Sequence, residues 1–211
     1  AFGPLPAGNG APRKVFGLDF DNTLVRTVYG KKFPKHADDW AFTTSCVRAA
    51  VRAWSTTHVI VVFTNQLGIS LGKTSEELVL KRITRAIESL GVPVVVVASL
   101  QDDNFRKPRT GAWSLAEQYV GPINVAQSIY CGDAAGRSKD FSDSDKQFAI
   151  NVGCKFMLPE DLFSTSATRV SRIITAEDQP STSTGGATQP AKLEEERGDS
   201  QGLSLIHISE P

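Results

Sequence analysis

One stretch near the start of the chain decides the fold: Val15-Phe-Gly-Leu-Asp19-Phe-Asp21-Asn-Thr23-Leu24. Its short apolar run, rich in β-branched and aromatic residues and closed by Asp-Asn, predicts a buried strand that ends in a loop. Asp19 and Asp21 then lie at the carboxyl end of the strand, where open α/β sheets bind ligands. Two adjacent carboxylates repel each other unless a cation lies between them, which favours a hard ion such as Mg2+. A plain Asx turn is the alternative interpretation.

Strands and helices alternate along the rest of the chain. Apolar runs predict three further strands over residues 58–64, 93–98 and 128–133. Amphipathic patterns predict helices between these strands, over about 44–54, 74–90 and 111–119. This alternation predicts a Rossmann-like parallel α/β sheet with helices on both faces. The short linkers leave room for a minimal cap domain or none.

Polar residues follow the predicted strands. Asp19, Thr64 and Asp133 end the first, second and fourth strands, and Lys107 lies in the polar loop after the third. Because the carboxyl ends of parallel strands share one edge of the sheet, we expect these residues to converge. Carboxylates for nucleophilic attack, proton transfer and metal binding, together with donors for phosphate oxygens, suit phosphoryl transfer. The sequence therefore predicts a phosphoryl-transfer site at this edge.

Composition narrows the class of protein. The three cysteines among 211 residues have unrelated spacings, which favours reduced thiols and an intracellular compartment. No apolar stretch approaches the roughly 20 residues that span a bilayer, so we expect no membrane insertion. Residues 176–211 contain two Lys or Arg and seven Asp or Glu. The remaining chain, before residue 176, therefore contains 21 basic and 16 acidic residues and has a net charge of +5. A mildly basic folded region permits an anionic substrate.

Four motifs resemble those of the haloacid-dehalogenase-like superfamily, in order: Asp19-Phe-Asp21-Asn-Thr23, Thr64, Lys107 and Gly132-Asp133. Their surroundings resemble more closely the phosphatase domain of polynucleotide kinase 3'-phosphatase, above all in Arg106-Lys-Pro-Arg-Thr-Gly-Ala-Trp113 and Gly132-Asp-Ala-Ala-Gly-Arg137. The likeness covers roughly residues 14–163. It implies a phosphatase domain over 13–168, between a disordered segment over 1–12 and a tail over 169–211.

That tail is rich in Ser, Thr, Gly, Pro, Gln and Glu, which predicts disorder. Its last residues, 203–211, resemble translated sequencing-adaptor read-through, and we interpret them as a sequence artefact.

The resemblance also implies roles for individual residues. Asp19 is expected to attack phosphorus and form an aspartyl-phosphate, and Asp21 to protonate the departing 3'-oxygen and then deprotonate water. Thr64 and Lys107 are expected to hold phosphate oxygens. Mg2+ is the expected cofactor, bound by the carboxylates of Asp19 and Asp133 and the backbone carbonyl of Asp21. The expected substrate-binding residues are Thr23, Asn65, Arg106 and Arg137.

Three further acids follow Asp133 in the sequence. Asp140 is a candidate to support the metal ligands from outside, whereas Asp143 and Asp145 are interpreted as solvated acids near the start of a helix.

The implied function is removal of 3'-phosphates from DNA ends during break repair. Family resemblance places such an enzyme in the nucleus, with DNA ends and DNA-repair proteins as partners, away from membranes and as a monomer. One alternative keeps the chemistry and acts on a small phosphomonoester such as histidinol phosphate. A second alternative is a catalytically silent binding module that retains the fold.

Overall fold

The computed structural model describes residues 10–31 and 33–163, and the backbone of a strand over 203–208. The helices are α1 (Val47–Trp54), α2 (Glu76–Glu88), α3 (Gly111–Val120), α4 (Ser144–Val152) and α5 (Pro159–Leu162). The strands are β1 (Val15–Leu18), β2 (Val25–Arg26), β3 (Ala41–Phe42), β4 (Val59–Asn65), β5 (Val94–Ser99), β6 (Ile129–Cys131), β7 (Lys155–Met157) and β8 (Leu203–Ile208).

Six strands form the main sheet in the order β7-β6-β1-β4-β5-β8. The first five are parallel, and β1 occupies the centre, paired with β4 on one side and β6 on the other. The predicted Rossmann-like parallel sheet is confirmed. Since β1, β4, β5 and β6 run in the same direction, the loops that follow them emerge at one edge.

Each face of the sheet carries its own apolar core. Strand β1 alternates, with Phe16 and Leu18 on the face covered by α1 and α2, and Val15 on the face covered by α3 and α4. On the second face Gly17 lets the aromatic ring of Tyr130 approach, since a Cβ on this glycine would lie 2.8 Å from the Tyr130 ring. Helices therefore cover both faces, as the sequence predicts.

A small antiparallel hairpin, β2–β3, is the only sheet structure between β1 and α1 in the described part of the chain. Its loop is organised by Asp39, whose buried carboxylate accepts hydrogen bonds from the backbone N–H groups of Val28 at 2.8 Å, Tyr29 at 3.4 Å and Lys35 at 3.2 Å. These bonds hold the pKa of Asp39 below its usual value, against the opposing effect of burial. The hairpin is the minimal cap that the short linkers predict.

Strand β8 differs from the prediction of a disordered tail. It pairs antiparallel with β5, from Val94 opposite Ile208 to Ser99 opposite Leu203. Any extended segment of suitable length can satisfy the open edge of β5 through main-chain hydrogen bonds. The pairing therefore leaves the interpretation of 203–211 as a sequence artefact a prediction. Most of the predicted disorder, over 1–9, 169–202 and 209–211, lies outside the described residues, as does the end of the predicted phosphatase domain, 164–168.

None of the helices in the described ranges is long and apolar enough to cross a bilayer.

Candidate phosphoryl-transfer site

Asp19 lies directly after β1, at the edge of the sheet where the parallel strands end. Its backbone N–H donates to the carbonyl of Cys131 on β6 at 2.9 Å, which fixes the residue between two central strands. Its side chain is largely buried, and Oδ1 accepts a hydrogen bond from Lys107 Nζ at 2.6 Å. The predicted convergence of these two residues, 88 positions apart, is present in the structure.

Lys107 is held from two directions. Asn65 fixes its backbone, since Lys107 N donates to Asn65 Oδ1 at 3.0 Å and Asn65 Nδ2 donates to the Lys107 carbonyl at 3.1 Å. Its buried ammonium donates to Asp19, to Asp145 Oδ1 at 2.8 Å and to the Tyr130 hydroxyl at 2.7 Å. A lysine ammonium has three donors, so all three are engaged by the protein. An incoming anion must therefore exchange with one of these partners.

Asp145 is a buried member of the site, which corrects the expectation that it is solvated. It is 2% exposed, and besides Lys107 it accepts hydrogen bonds from the Tyr130 hydroxyl at 3.0 Å and the Ala134 N–H at 3.0 Å. Gly132 makes room for it, because a Cβ at that position would lie 2.4 Å from Asp145 Cγ. The start of α4 is thus packed against the sheet edge, whereas Asp143, two residues before Asp145, is exposed as predicted.

Three carboxylates converge beside Lys107. Oxygen atoms of Asp19, Asp133 and Asp145 all lie within 4.8 Å of one another. Thr23 Oγ1, fully buried, donates to Asp133 Oδ1 at 3.4 Å and helps to orient it. Carboxylate oxygens are the ligands that Mg2+ prefers.

The electrostatics of this cluster favour a bound cation. Burial and the charges of Asp145 and Asp133 hold the pKa of Asp19 well above its usual value, against the pull of Lys107. Burial and Asp145 raise the pKa of Asp133 to about 6. Although burial disfavours its charge, Asp145 and Asp19 raise the pKa of Lys107. One ammonium thus leaves the carboxylates short of positive charge, and these residues fit a hard divalent cation.

Asp21 lies outside the carboxylate cluster. Its Oδ1 accepts a hydrogen bond from Arg82 Nη1 at 2.8 Å, and its Oδ2 accepts one from Gln66 Nε2 at 2.9 Å. Gln66 Nε2 also donates to Thr64 Oγ1 at 2.7 Å, which brings Thr64 beside Asp21. The expected contact of Asp21 with a metal, through its backbone carbonyl, stays a prediction.

A single cavity of about 410 Å³ joins these groups. Phe33, Pro34 and the 86% exposed ring of Phe141 contribute to its wall. Most of the predicted site residues line it, namely Asp19, Asp21, Thr64, Asn65, Arg106, Lys107 and Asp133.

Arg106 brings a second cationic group to the cavity. Its Nη1 is buried and has no hydrogen-bond partner within the described part of the chain. A buried guanidinium nitrogen without a partner is costly, so this atom is suited to bind an anionic ligand.

Two of the predicted substrate-binding residues lie elsewhere. Thr23 is buried behind Asp133, and Arg137 is outside the cavity wall formed by the described residues. Arg137 forms ion pairs with Asp140 at 2.8 Å and with Glu160, and its Nη2 donates to the Asp133 carbonyl at 3.1 Å. Hydrogen bonds from the side chain and backbone N–H of Arg137 and from the Ala135 N–H lower the pKa of Asp140 to about 2. Arg137 and Asp140 therefore brace the loop that carries Asp133.

A sequence profile of the family described as polynucleotide kinase 3 phosphatase matches residues 14–163. The chain belongs to this family. The match spans the parallel sheet from just before β1 to the end of α5, including all the residues of the cavity. The resemblance inferred from the motifs is confirmed.

Curated relatives agree with membership of the polynucleotide kinase 3 phosphatase family. The bifunctional polynucleotide phosphatase/kinase of Schizosaccharomyces pombe is 36% identical over 153 residues, which cover 72% of this chain and 38% of that protein. A polynucleotide 3'-phosphatase of Saccharomyces cerevisiae is 29% identical, over 71% of this chain and 87% of that protein. An uncharacterized 20.8 kDa protein of Autographa californica nuclear polyhedrosis virus is 39% identical, over 72% of this chain and 87% of that protein. The predicted enzyme of the phosphatase class is confirmed.

Solved structures share the fold of this family member at low identity. D,D-heptose 1,7-bisphosphate phosphatase from B. bronchiseptica, complexed with magnesium and phosphate, superposes with a TM-score of 0.56 at 18% identity, over 77% of this chain and 99% of that chain. A Mesorhizobium loti protein described as a putative HAD-like phosphatase superposes with a TM-score of 0.58 at 17% identity, over 83% of this chain and 91% of that chain. The haloacid-dehalogenase-like fold is confirmed.

Sequence reasoning missed four site residues of this polynucleotide kinase 3 phosphatase family member: Tyr130, Asp145, Gln66 and Arg82. Arg82 could have been found, because it lies between Val79 and Ile83 on the apolar stripe of α2, where a charged residue calls for a buried partner. Tyr130 is the middle residue of the otherwise apolar strand β6, and its hydroxyl needs a polar neighbour when buried.

Replacing Gly132 with alanine is expected to disturb the site without replacing a charged residue. The new Cβ would overlap the Asp145 carboxylate, so either Asp145 or the start of α4 must shift. We expect the free energy of unfolding to fall by about 1–3 kcal/mol, as for overpacked cores. Thermal denaturation and phosphatase assays check this. A Gly132→Ala variant with wild-type stability and activity would contradict the close packing.

Proposed function

We propose that this chain is a Mg2+-dependent polynucleotide 3'-phosphatase that removes 3'-phosphates from DNA ends through an aspartyl-phosphate intermediate. The observation that carries the proposal is the convergence of Asp19, Asp133, Asp145 and Lys107 in one cavity of a polynucleotide kinase 3 phosphatase family member. The carboxylates and the ammonium supply a nucleophile, a metal site and a phosphate contact in the same place.

In the first half-reaction Asp19 is the nucleophile. One carboxylate oxygen forms a bond to phosphorus while the bond between phosphorus and the 3'-oxygen breaks, and Asp21 gives its proton to that oxygen. The products are a DNA end with a 3'-hydroxyl and a phosphorylated Asp19. Lys107, at 2.6 Å from Asp19 Oδ1, is close enough to stabilise charge on the transferring group.

In the second half-reaction water attacks the phosphorus of phosphorylated Asp19. Asp21 takes a proton from this water as the bond between phosphorus and the Asp19 oxygen breaks, which returns the carboxylate and releases inorganic phosphate. Asp21 thus alternates between acid and base. Its side chain is 43% exposed at the cavity, so water and the leaving oxygen can both reach it.

The carboxylates of Asp19 and Asp133 would hold Mg2+, with Asp145 beside them. The ion supplies positive charge that offsets the repulsion between an anionic nucleophile and an anionic phosphate. Thr64, Arg106 and Lys107 line the same cavity and would bind the phosphate oxygens.

The surroundings of the cavity suit the end of a polymer better than a small molecule that is enclosed on all sides. The cap is reduced to the β2–β3 hairpin, and the region before residue 176 has a net charge of +5. Its family relatives include proteins named as polynucleotide 3'-phosphatases. We extend this by resemblance to a role in DNA break repair, in the nucleus, beside DNA-repair proteins and as a monomer.

The proposal is tested with a nicked duplex that bears a 3'-phosphate, incubated with the full chain and Mg2+. Parallel reactions contain small phosphomonoesters, including histidinol phosphate. We expect phosphate release from the nick at a far higher kcat/KM than from the small esters. Efficient release from the small esters alone would overturn the DNA assignment, and release from neither would overturn the function.

Mg2+ is expected to raise the thermal stability of the protein as well as its activity. A ligand at 100 times its dissociation constant stabilises a folded protein by about 2.7 kcal/mol. Asp133→Asn should lose most of this stabilisation, whereas Asp102→Asn, at an exposed ion pair with Arg109, should keep it. Thermal denaturation with EDTA and with increasing Mg2+ measures the effect. Equal stabilisation of wild type and Asp133→Asn by Mg2+ would rule out Asp133 as a ligand of the ion.

A further inference from the structure

Arg82 is a buried charge on the inner face of α2. It is 1% exposed and lies among the apolar residues Val79, Ile83 and Ala86 of the same helix. Its guanidinium carbon lies 5.2 Å from the centre of the Phe20 ring. Burying a guanidinium is costly unless it is paired and hydrogen-bonded, so its partners should account for its presence.

The main partner of Arg82 is the cavity residue Asp21. Nη1 donates to Asp21 Oδ1 at 2.8 Å, and Nε donates to the backbone carbonyl of Asp39 at 3.2 Å. The guanidinium is fixed by the second bond, so it is a rigid support for the first. Asp39 in turn organises the hairpin loop whose Phe33 and Pro34 line the cavity.

The second oxygen of Asp21 has its own donor. Gln66 Nε2 donates to Asp21 Oδ2 at 2.9 Å and to Thr64 Oγ1 at 2.7 Å. A carboxylate accepts only, so the amide nitrogen of Gln66 must face it. Both oxygens of Asp21 are therefore held, Oδ1 by the charged guanidinium of Arg82 on α2 and Oδ2 by the neutral amide of Gln66 in the loop after β4.

We propose that Arg82 is the residue that positions Asp21 for proton transfer, and that Gln66 completes this arrangement on the second oxygen. The inference rests on the proposed function, in which Asp21 is the acid and base. Two fixed donors restrict rotation of the carboxylate and keep it at the cavity edge. A neutral side chain at position 82 would remove one of these donors and leave the carboxylate free to turn.

The two half-reactions allow a specific test. With a DNA 3'-phosphate the leaving group is an alkoxide that needs a proton, so the first step requires Asp21. With 4-nitrophenyl phosphate the leaving group departs without a proton, and only hydrolysis of phosphorylated Asp19 requires Asp21. A defect confined to Asp21 should therefore give a burst of nitrophenolate, about one equivalent per enzyme, followed by slow turnover.

Arg82→Met, nearly isosteric and a good helix former, is expected to lower kcat on a 3'-phosphorylated oligonucleotide by about 100-fold with little change in KM. It should show the nitrophenolate burst, as should Asp21→Asn. Arg82→Lys should recover part of kcat, because an ammonium can still pair with Asp21. The matched control is Arg85→Met on the same helix, where the side chain is 47% exposed and pairs with Asp38; it should behave as wild type.

A double variant separates positioning from general destabilisation. If Arg82 acts through Asp21, Asp21→Asn with Arg82→Met should be no slower than Asp21→Asn alone. Multiplied defects, a missing burst, or wild-type kcat in Arg82→Met would overturn the inference. If Arg82→Met does not fold, Gln66→Met at the half-exposed position must show the burst and the same non-additivity with Asp21→Asn. Wild-type activity of Asp21→Asn would instead overturn the proposed function itself.

Discussion

Asp19→Asn is expected to reduce 3'-phosphate release by about 10⁴-fold or more, as removal of a nucleophile does in other covalent mechanisms. An amide oxygen does not attack phosphorus at a useful rate, whereas the shape of the side chain and its acceptor for Lys107 are kept. Burial and the neighbouring acids hold the pKa of Asp19 well above its usual value, so its ionised form is disfavoured in the folded state without metal. In EDTA at neutral pH the variant should therefore be at least as stable as wild type.

The paired measurements are phosphate release in Mg2+ and thermal denaturation in EDTA. Asp102→Asn serves as the control, since it removes an exposed carboxylate outside the cavity. With a ³²P-labelled 3'-phosphate, wild type quenched in acid should carry a hydroxylamine-sensitive label that Asp19→Asn lacks. A labelled Asp19→Asn variant, or one with about a tenth of wild-type activity, would place the nucleophile elsewhere.

The fold could be predicted because its determinants are local. The apolar run of β4 and the valines of β5 indicate strands buried on both faces, and the periodicity of α1 and α2 indicates one covered stripe each. The start of α2 is also close to its prediction: the helix is expected from about residue 74 and begins at Glu76, where Ser75 Oγ accepts the N–H of Leu78 at 3.2 Å.

The edge pairing of β8 could not be predicted in this way. It depends on the unsatisfied main chain of β5 rather than on a pattern within residues 203–208.

The site residues that lie at strand ends could be predicted from the sequence, whereas those contributed by helices could not. Asp19, Thr64 and Asp133 lie at or just after the carboxyl ends of strands in one parallel sheet, so topology alone brings them to one edge. Asp145 is on α4. From sequence alone, a carboxylate near the start of a helix is equally well explained as a solvent-exposed group that interacts favourably with the helix dipole. Only the packing of α4 against Gly132, a tertiary contact, buries it. Side chains that converge from helices thus need the three-dimensional structure.

Lys107→Met is expected to lower kcat by about 100- to 1,000-fold, the effect of removing one preorganised electrostatic contact to a transition state. It should also lower the free energy of unfolding by about 3–5 kcal/mol in EDTA, because it leaves the buried carboxylates of Asp19 and Asp145 without their ammonium. Mg2+ should reduce this deficit by supplying positive charge to the same cluster. Denaturant unfolding with and without Mg2+, and steady-state kinetics, measure the two effects.

A second substitution separates the stability of this ion-pair cluster from its catalysis. In Lys107→Met with Asp145→Asn, one of the orphaned carboxylates is neutral, and its amide can still bond to the Tyr130 hydroxyl. We expect the double variant to regain part of the lost stability, since breaking a buried pair costs more than removing both charges. Its activity should stay as low as that of Lys107→Met, because the ammonium that stabilises charge on the transferring phosphate is still missing. Recovery of kcat together with stability would mean that Lys107 serves the fold alone.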